Sequence, residues 1–148
     1  MLLTTHETED IMNIDKIKNI IESGEGLENN IGMEFFSTPD PDSCSARMHV
    51  DGRNTQPFGY LSGGATIALS ETLAGVGSAS LCPGDICLGM NVNANHIHAA
   101  QRGETVIATA RIVHQGMQTH VWQVEVRNEA TGDLISSVSV TNFIIHKK

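Results

Sequence analysis

The sequence predicts an α+β fold in which an antiparallel six-stranded sheet wraps around one long buried helix. Two observations carry that prediction. Between Arg53 and Asp85 the chain has a single charged side chain, Glu71, and from Ala65 to Leu81 only scattered glycines interrupt a run of small and apolar residues. A helix that is apolar on every face must be covered on every face. Around it lie segments whose apolar residues recur at every second position, two before and four after, which is the period of half-buried strands. A curled sheet is what can hide such a helix.

The elements follow in order. Isoleucines at 14, 17, 20 and 21 with charged residues between them predict a short amphipathic helix over 14–23, ended by Gly24-Glu25-Gly26. Strands are expected at 31–36 and 43–50, joined by the turn Pro39-Asp40-Pro41-Asp42; in the second, Ala46, Met48 and Val50 alternate with Arg47 and His49. Residues 51–61 form the loop into the long helix, and Cys82-Pro83-Gly84-Asp85 is the turn out of it. The strand over 86–98 is expected to place Ile86, Leu88, Met90, Val92 and Ala94 on one face and Asn91, Asn93 and Asn95 on the other. Alternation then marks 105–114, with Val106, Ala108, Ala110 and Ile112, and 121–127, with Trp122, Val124 and Val126. After the turn Ala130-Thr131-Gly132-Asp133, the last strand covers 134–145. Residues 1–29 read as an N-terminal extension and 30–148 as the sheet-and-helix domain.

Composition narrows the function. With 148 residues, the chain holds one domain with a real core. Its 18% charged and 40% apolar residues are ordinary for a soluble globular protein. A net charge of −8 and the lack of a basic block argue against nucleic-acid binding. They leave room for a nucleotide-bearing coenzyme, which a few cations and helix N–H groups can hold. No basic region followed by an apolar stretch opens the chain, so no secretory signal is expected. Residues 60–84 are too rich in Gly, Ala and Ser for a membrane span. Three cysteines, Cys44, Cys82 and Cys87, have no scaffold spacing, so the expected compartment is a reducing cytoplasm.

Chemistry concentrates around the long helix. A lone carboxylate there costs desolvation free energy unless a buried partner or a reaction compensates it. Ser62 is a suitable N-cap. Gly63 and Gly64 open the helix without side chains, so a ligand can approach bare N–H donors at the positive end of the dipole. Such donors suit the oxyanion that develops on a carbonyl during acyl transfer. Gly63 and Glu71 are eight positions apart, about 12 Å along a helix. One carbonyl carbon cannot easily touch both, and the spacing favours a site shared across a twofold interface.

The run Gln56-Pro57-Phe58-Gly59, then Leu61-Ser62-Gly63-Gly64-Ala65, then Ser70-Glu71, resembles the active-site segment of hotdog-fold acyl-CoA thioesterases. It is most similar to the branch acting on aromatic thioesters such as 4-hydroxybenzoyl-CoA and 1,4-dihydroxy-2-naphthoyl-CoA. The resemblance continues at Asn93-Ala94-Asn95-His96 and Val121-Trp122-Gln123-Val124 and covers roughly residues 30–145. It implies thioester hydrolysis without a cofactor, in a homodimer or homotetramer whose sites lie at the subunit interface. Glu71 would then act as general base toward water or as the nucleophile. Gly63 would polarise the thioester oxygen, with Gly64 beside it.

The remaining roles stay open between function and structure. Gln56 either bonds the carbonyl or water or caps its own loop. Ser62 stands where the resembled family usually has a histidine; a hydroxyl can hold a carbonyl or water but cannot carry a proton as imidazole does. His96 is expected near the coenzyme pocket, and Arg102 is either a phosphate contact or a solvated charge. A metal reading from Cys82, Cys87, His96 and His98 fits no common zinc spacing, and no metal is expected. Two other readings compete: a non-catalytic acyl-CoA binder, and a hotdog dehydratase. The second is disfavoured because 54–62 lacks the Asp and His such enzymes place before the helix.

Overall fold

A computed structural model describes residues 12–22 and 24–148. Residues 1–11, the start of the expected extension, and Ser23, the expected last residue of the first helix, lie outside the described residues. The elements run α1 (Asp15–Glu22), α2 (Leu27–Ile31), β1 (Met33–Ser37), β2 (Ser43–His49), α3 (Gly63–Leu81), β3 (Ile86–His96), β4 (Thr105–Gln115), β5 (Thr119–Asn128) and β6 (Leu134–Ile145). The six strands form one antiparallel sheet in the order β1-β2-β4-β5-β6-β3, with α3 against its concave face. The helix α2 was not expected. Its five residues are too few for a periodic signal, and it is delimited by Gly26 and by Gly32, whose left-handed backbone (φ 85°) ends it.

The alternation works as read in the central strands. Val106, Ala108 and Ala110 of β4, Trp122, Val124 and Val126 of β5, and Val138 and Val140 of β6 are all fully buried under α3. Each valine so buried contributes about 1.5–3 kcal/mol. The helix can lie this close because Gly77 carries no side chain: a Cβ there would stand 2.6 Å from the Trp122 ring and 3.1 Å from Cys44 Sγ. Leu69 and Leu73 are fully buried on the same helix.

Two expectations need correction. The first concerns the covering of α3. Leu69, Ser70, Leu73 and Ala74 are buried, but Ala68, Glu71, Thr72, Gly75 and Ala79 are only half-buried. The face of α3 that carries these residues lines a cavity beside the edge strand β3. The second concerns β3. Its pairing with β6 shifts between Gly89 and Asn91, the mark of a β-bulge at Met90. The extra residue reverses the faces. Ile86, Leu88 and Met90 point outward and are 40%, 51% and 60% exposed, whereas Val92 and Ala94 pack against the core.

Beside the apolar core lies a buried polar cluster centred on Ser78. Ser78 Oγ accepts hydrogen bonds from Trp122 Nε1 (2.9 Å) and Asn142 Nδ2 (3.0 Å), so its own proton is directed to His120 Nδ1 at 2.8 Å. His120 is therefore neutral, with its remaining proton on Nε2 toward Cys82 Sγ at 3.8 Å. Burial, with His114 nearby, lowers the His120 pKa below its ordinary 6.5. At the chain end the opposite holds. His146 donates to Asp85 (2.8 Å) and to the Met117 carbonyl (2.6 Å), which raises its pKa above 6.5.

The two histidines give stability opposite pH dependences. The His120 contribution is fully present above its unfolded value of 6.5 and is lost as pH falls through the lowered folded value. The His146 contribution is present below 6.5 and is lost as pH rises through the raised folded value. Thermal melting across pH 5–9 is expected to show both flanks. His120→Asn should flatten the acid flank and His146→Ala the alkaline one. An unchanged slope in either variant would exclude that assignment.

Candidate active site

The loop between β2 and α3 is built around a buried asparagine. Asn54 Nδ2 donates to the carbonyls of Ile31 (3.0 Å) and His49 (2.9 Å), its Oδ1 accepts from the Asp51 N–H (3.0 Å), and its carbonyl accepts from the Ser62 N–H (2.9 Å). The tip is closed by the Gln56 N–H to the Tyr60 carbonyl (2.9 Å) and by Gly59 at φ 89°. The entry of α3 is thereby fixed, and Gln56 is held beside Gly63.

Gln56, Gly63 and His96 line one cavity of about 290 Å³, together with Tyr60, Thr66 and Ser136. The Gln56 Oε1 accepts the Phe58 N–H. An N–H can only donate, so this bond assigns the amide orientation and leaves the Gln56 NH₂ as the end free to act as a donor. His96, the last residue of β3, bonds Ser136 Oγ through Nδ1 (2.7 Å), and its Nε2 lies 2.8 Å from where a Gly63 Cβ would stand. Only glycine lets the imidazole lie this close to the helix start.

Ser62 departs from its expected role. It is the N-cap residue, with extended backbone (φ −64°, ψ 133°), but its side chain makes no capping hydrogen bond. Its N–H is taken by Asn54, and its carbonyl by the Thr66 N–H (3.1 Å) and hydroxyl (3.3 Å). With the hydroxyl not engaged, the first amides of α3 have no side-chain acceptor and stay available to a ligand. Gly64 is exposed and lies outside the cavity lining. Arg102 is also outside it: its N–H donates to the Gly59 carbonyl (3.0 Å), and its guanidinium runs past Gly52.

Glu71 is elsewhere. It lines a second, larger cavity of about 630 Å³, with Thr72 and Gly75 of α3 and Cys87 and Gly89 of β3. None of the residues around it lines the first cavity. The Glu71 carboxylate lies over Gly89, where a Cβ would come within 2.1 Å of Oε1. The structure thus gathers Gln56, Gly63 and His96 and leaves Glu71 apart, along the same edge strand. Ser136 and Gly89 were not singled out from sequence. The first needs the His96–Ser136 strand register, but a glycine inside a strand pattern is itself a signal of close approach.

The four residues of the metal reading do not converge. His96 and His98 line the first cavity, Cys87 lines the second, and Cys82 contacts His120. No cluster of three or more metal-binding side chains occurs among the described residues, and none of their helices is long and apolar enough to cross a membrane.

Comparison with known proteins agrees with this architecture. The thioesterase superfamily model matches residues 58–135, just over half of the chain. A 1,4-dihydroxy-2-naphthoyl-CoA hydrolase of Listeria monocytogenes is 38% identical over 105 residues, 70% of this chain and 84% of that protein. The proofreading thioesterase EntH of Cronobacter turicensis is 31% identical over 130 residues, covering 87% and 88%. Among solved structures, a glutamine-to-alanine variant of a Staphylococcus aureus thioesterase superposes with a TM-score of 0.75 at 39% identity, covering 81% of this chain and 98% of that one. The chain is a hotdog-fold member of the thioesterase superfamily, a family of thioester hydrolases.

Proposed function

We propose that this chain hydrolyses an acyl-CoA thioester at two equivalent sites shared between the subunits of a homodimer, itself able to pair into a tetramer. The observation that carries the reading is the separation of the two cavities. Gln56, Gly63 and His96 form one, Glu71 another, and both lie along the edge strand β3. Among the described residues β3 is an edge strand of eleven residues, paired on one side only, and such an edge calls for a partner. Antiparallel pairing of two such edges about a twofold axis brings the Gly63 end of one subunit toward Glu71 of the other.

In that site the Gly63 N–H and the Gln56 NH₂ polarise the thioester oxygen, supported by the positive end of the α3 dipole. Glu71 then activates water as general base, or attacks the carbonyl carbon directly. The coenzyme leaves past His96, with Gly64 and Arg102 toward its phosphates. Ser62 supplies a hydroxyl to carbonyl or water. Spacing supports the pairing of Gln56 with Glu71. Solved variants of the Staphylococcus aureus relative replace a glutamine and a glutamate fifteen positions apart, the separation of Gln56 and Glu71 here. The relatives named for 1,4-dihydroxy-2-naphthoyl-CoA hydrolysis support an aromatic acyl group.

The test is thiol release from a panel of acetyl-, octanoyl-, benzoyl- and 2-naphthoyl-CoA, in buffer containing a chelator. Turnover of at least one aromatic thioester is expected. Binding without turnover across the panel would instead favour an acyl-CoA sensor.

A further inference from the structure

We infer that the N-terminal helix α1 is the specificity wall of the acyl chamber, and that the chamber takes an acyl group whose far end is wholly apolar. The inference rests on the reading of Glu71 as the residue at the reacting carbonyl. From Glu71 the 630 Å³ cavity runs along α3 past Gly75 to Ala79, eight positions or about 12 Å further on. Its floor is made of residues with little or no side chain, Gly75, Ala79 and Gly89, so the room is not taken up by the protein itself. The opposite wall comes from the extension: Ile17 and Ile21, one helical turn apart on α1, and Leu27 at the start of α2.

That wall is anchored. Met12 and Ile14, just ahead of α1, are 1% and 0% exposed within the main core, and the Ile14 N–H donates to Ser37 Oγ (3.2 Å). The Asn29 amide donates to the carbonyls of Ile21 (3.0 Å) and Gly24, pinning α1 to α2. Among the described residues, the polar side chains of the cavity, Glu71 and Thr72, stand together at the reacting end, and beyond them only the Cys87 thiol offers a weak polar atom. A hydroxyl carried at the far end of an acyl group would be buried against isoleucine and leucine without a partner. Alkyl and unsubstituted aryl groups carry no such cost.

The test compares kcat/KM for acetyl-, octanoyl-, 2-naphthoyl-, benzoyl- and 4-hydroxybenzoyl-CoA. Octanoyl- and 2-naphthoyl-CoA are expected to exceed acetyl-CoA by about 100-fold, and benzoyl-CoA to exceed 4-hydroxybenzoyl-CoA by about 10-fold or more. The double variant Ile17→Ala, Ile21→Ala should lower the octanoyl-to-acetyl ratio by about 10–100-fold. Ala79→Leu leaves α1 intact and should lower the same ratio by filling the chamber from the other side. A preference for 4-hydroxybenzoyl-CoA, or variants that scale every substrate equally, would overturn the inference. If the parent turned over none of the panel, hydrolysis would fail as a reading and the chamber would be judged by titration alone. Octanoyl-CoA should then bind at least about 10-fold more tightly than free CoA, a gain the double variant erases; equal affinities would exclude the chamber.

Discussion

Replacing Glu71 by glutamine is expected to lower kcat by about 10²–10⁴ while KM moves little. Glutamine keeps the size and the hydrogen-bonding reach of the side chain but removes its charge and basicity, so the loss reports chemistry and not packing. If the carboxylate attacks the carbonyl directly, the loss is at least as large. Stability should be unchanged or slightly raised, because Glu71 lines a cavity and is only partly buried in one chain. Thiol release and a thermal melt on the same preparation check both halves. Full activity in the variant would remove the carboxylate from the mechanism.

The second large effect is expected from a residue with no functional group. In Gly89→Ala the new methyl would lie 2.1 Å from Glu71 Oε1 and 3.0 Å from its carboxyl carbon. The atoms it meets are the free end of a long side chain, so the carboxylate swings aside into the cavity and the fold survives. Stability should change by less than about 1 kcal/mol. A nucleophile or base moved by roughly 1 Å costs about 10²-fold in rate. The pattern to look for is lost kcat with an intact melting curve. Unchanged kcat would show that the position of Glu71 over β3 is not the one used in turnover.

The strands and the long apolar helix were legible because alternation and an unbroken apolar run are signals that the chain carries locally. Val106, Ala108 and Ala110 or Trp122, Val124 and Val126 announce their faces by spacing alone. In β3 the same rule misled. Ile86, Leu88, Met90, Val92 and Ala94 keep perfect alternation in sequence, yet the bulge at Met90 turns the first three outward. A bulge is fixed by pairing with β6, a partner more than forty residues away, so no local pattern reveals it. The site was half legible. Gly63 and Gln56 lie together because they flank one tight loop, and the distance from Gly63 to Glu71 follows from helical rise. That His96 would sit over Gly63 depends on where β3 ends and on its bond to Ser136, and both are tertiary facts. Ser62 looked like a capping residue by type, but its backbone is already engaged through Asn54 and Thr66, and its hydroxyl is left out of the cap.

Subunit mixing tests the shared site most directly. Glu71→Gln and Gln56→Ala homodimers should each be severely impaired, because each lacks one half of every site. When the two are dissociated together and reassembled, half of the dimers are hybrids, and each hybrid holds one site with both native residues and one with neither. Activity should return to about a quarter of the parent value. If Gln56 and Glu71 instead served the same site within one chain, the mixture would stay as inactive as its components, and that result would contradict a site shared across the twofold axis.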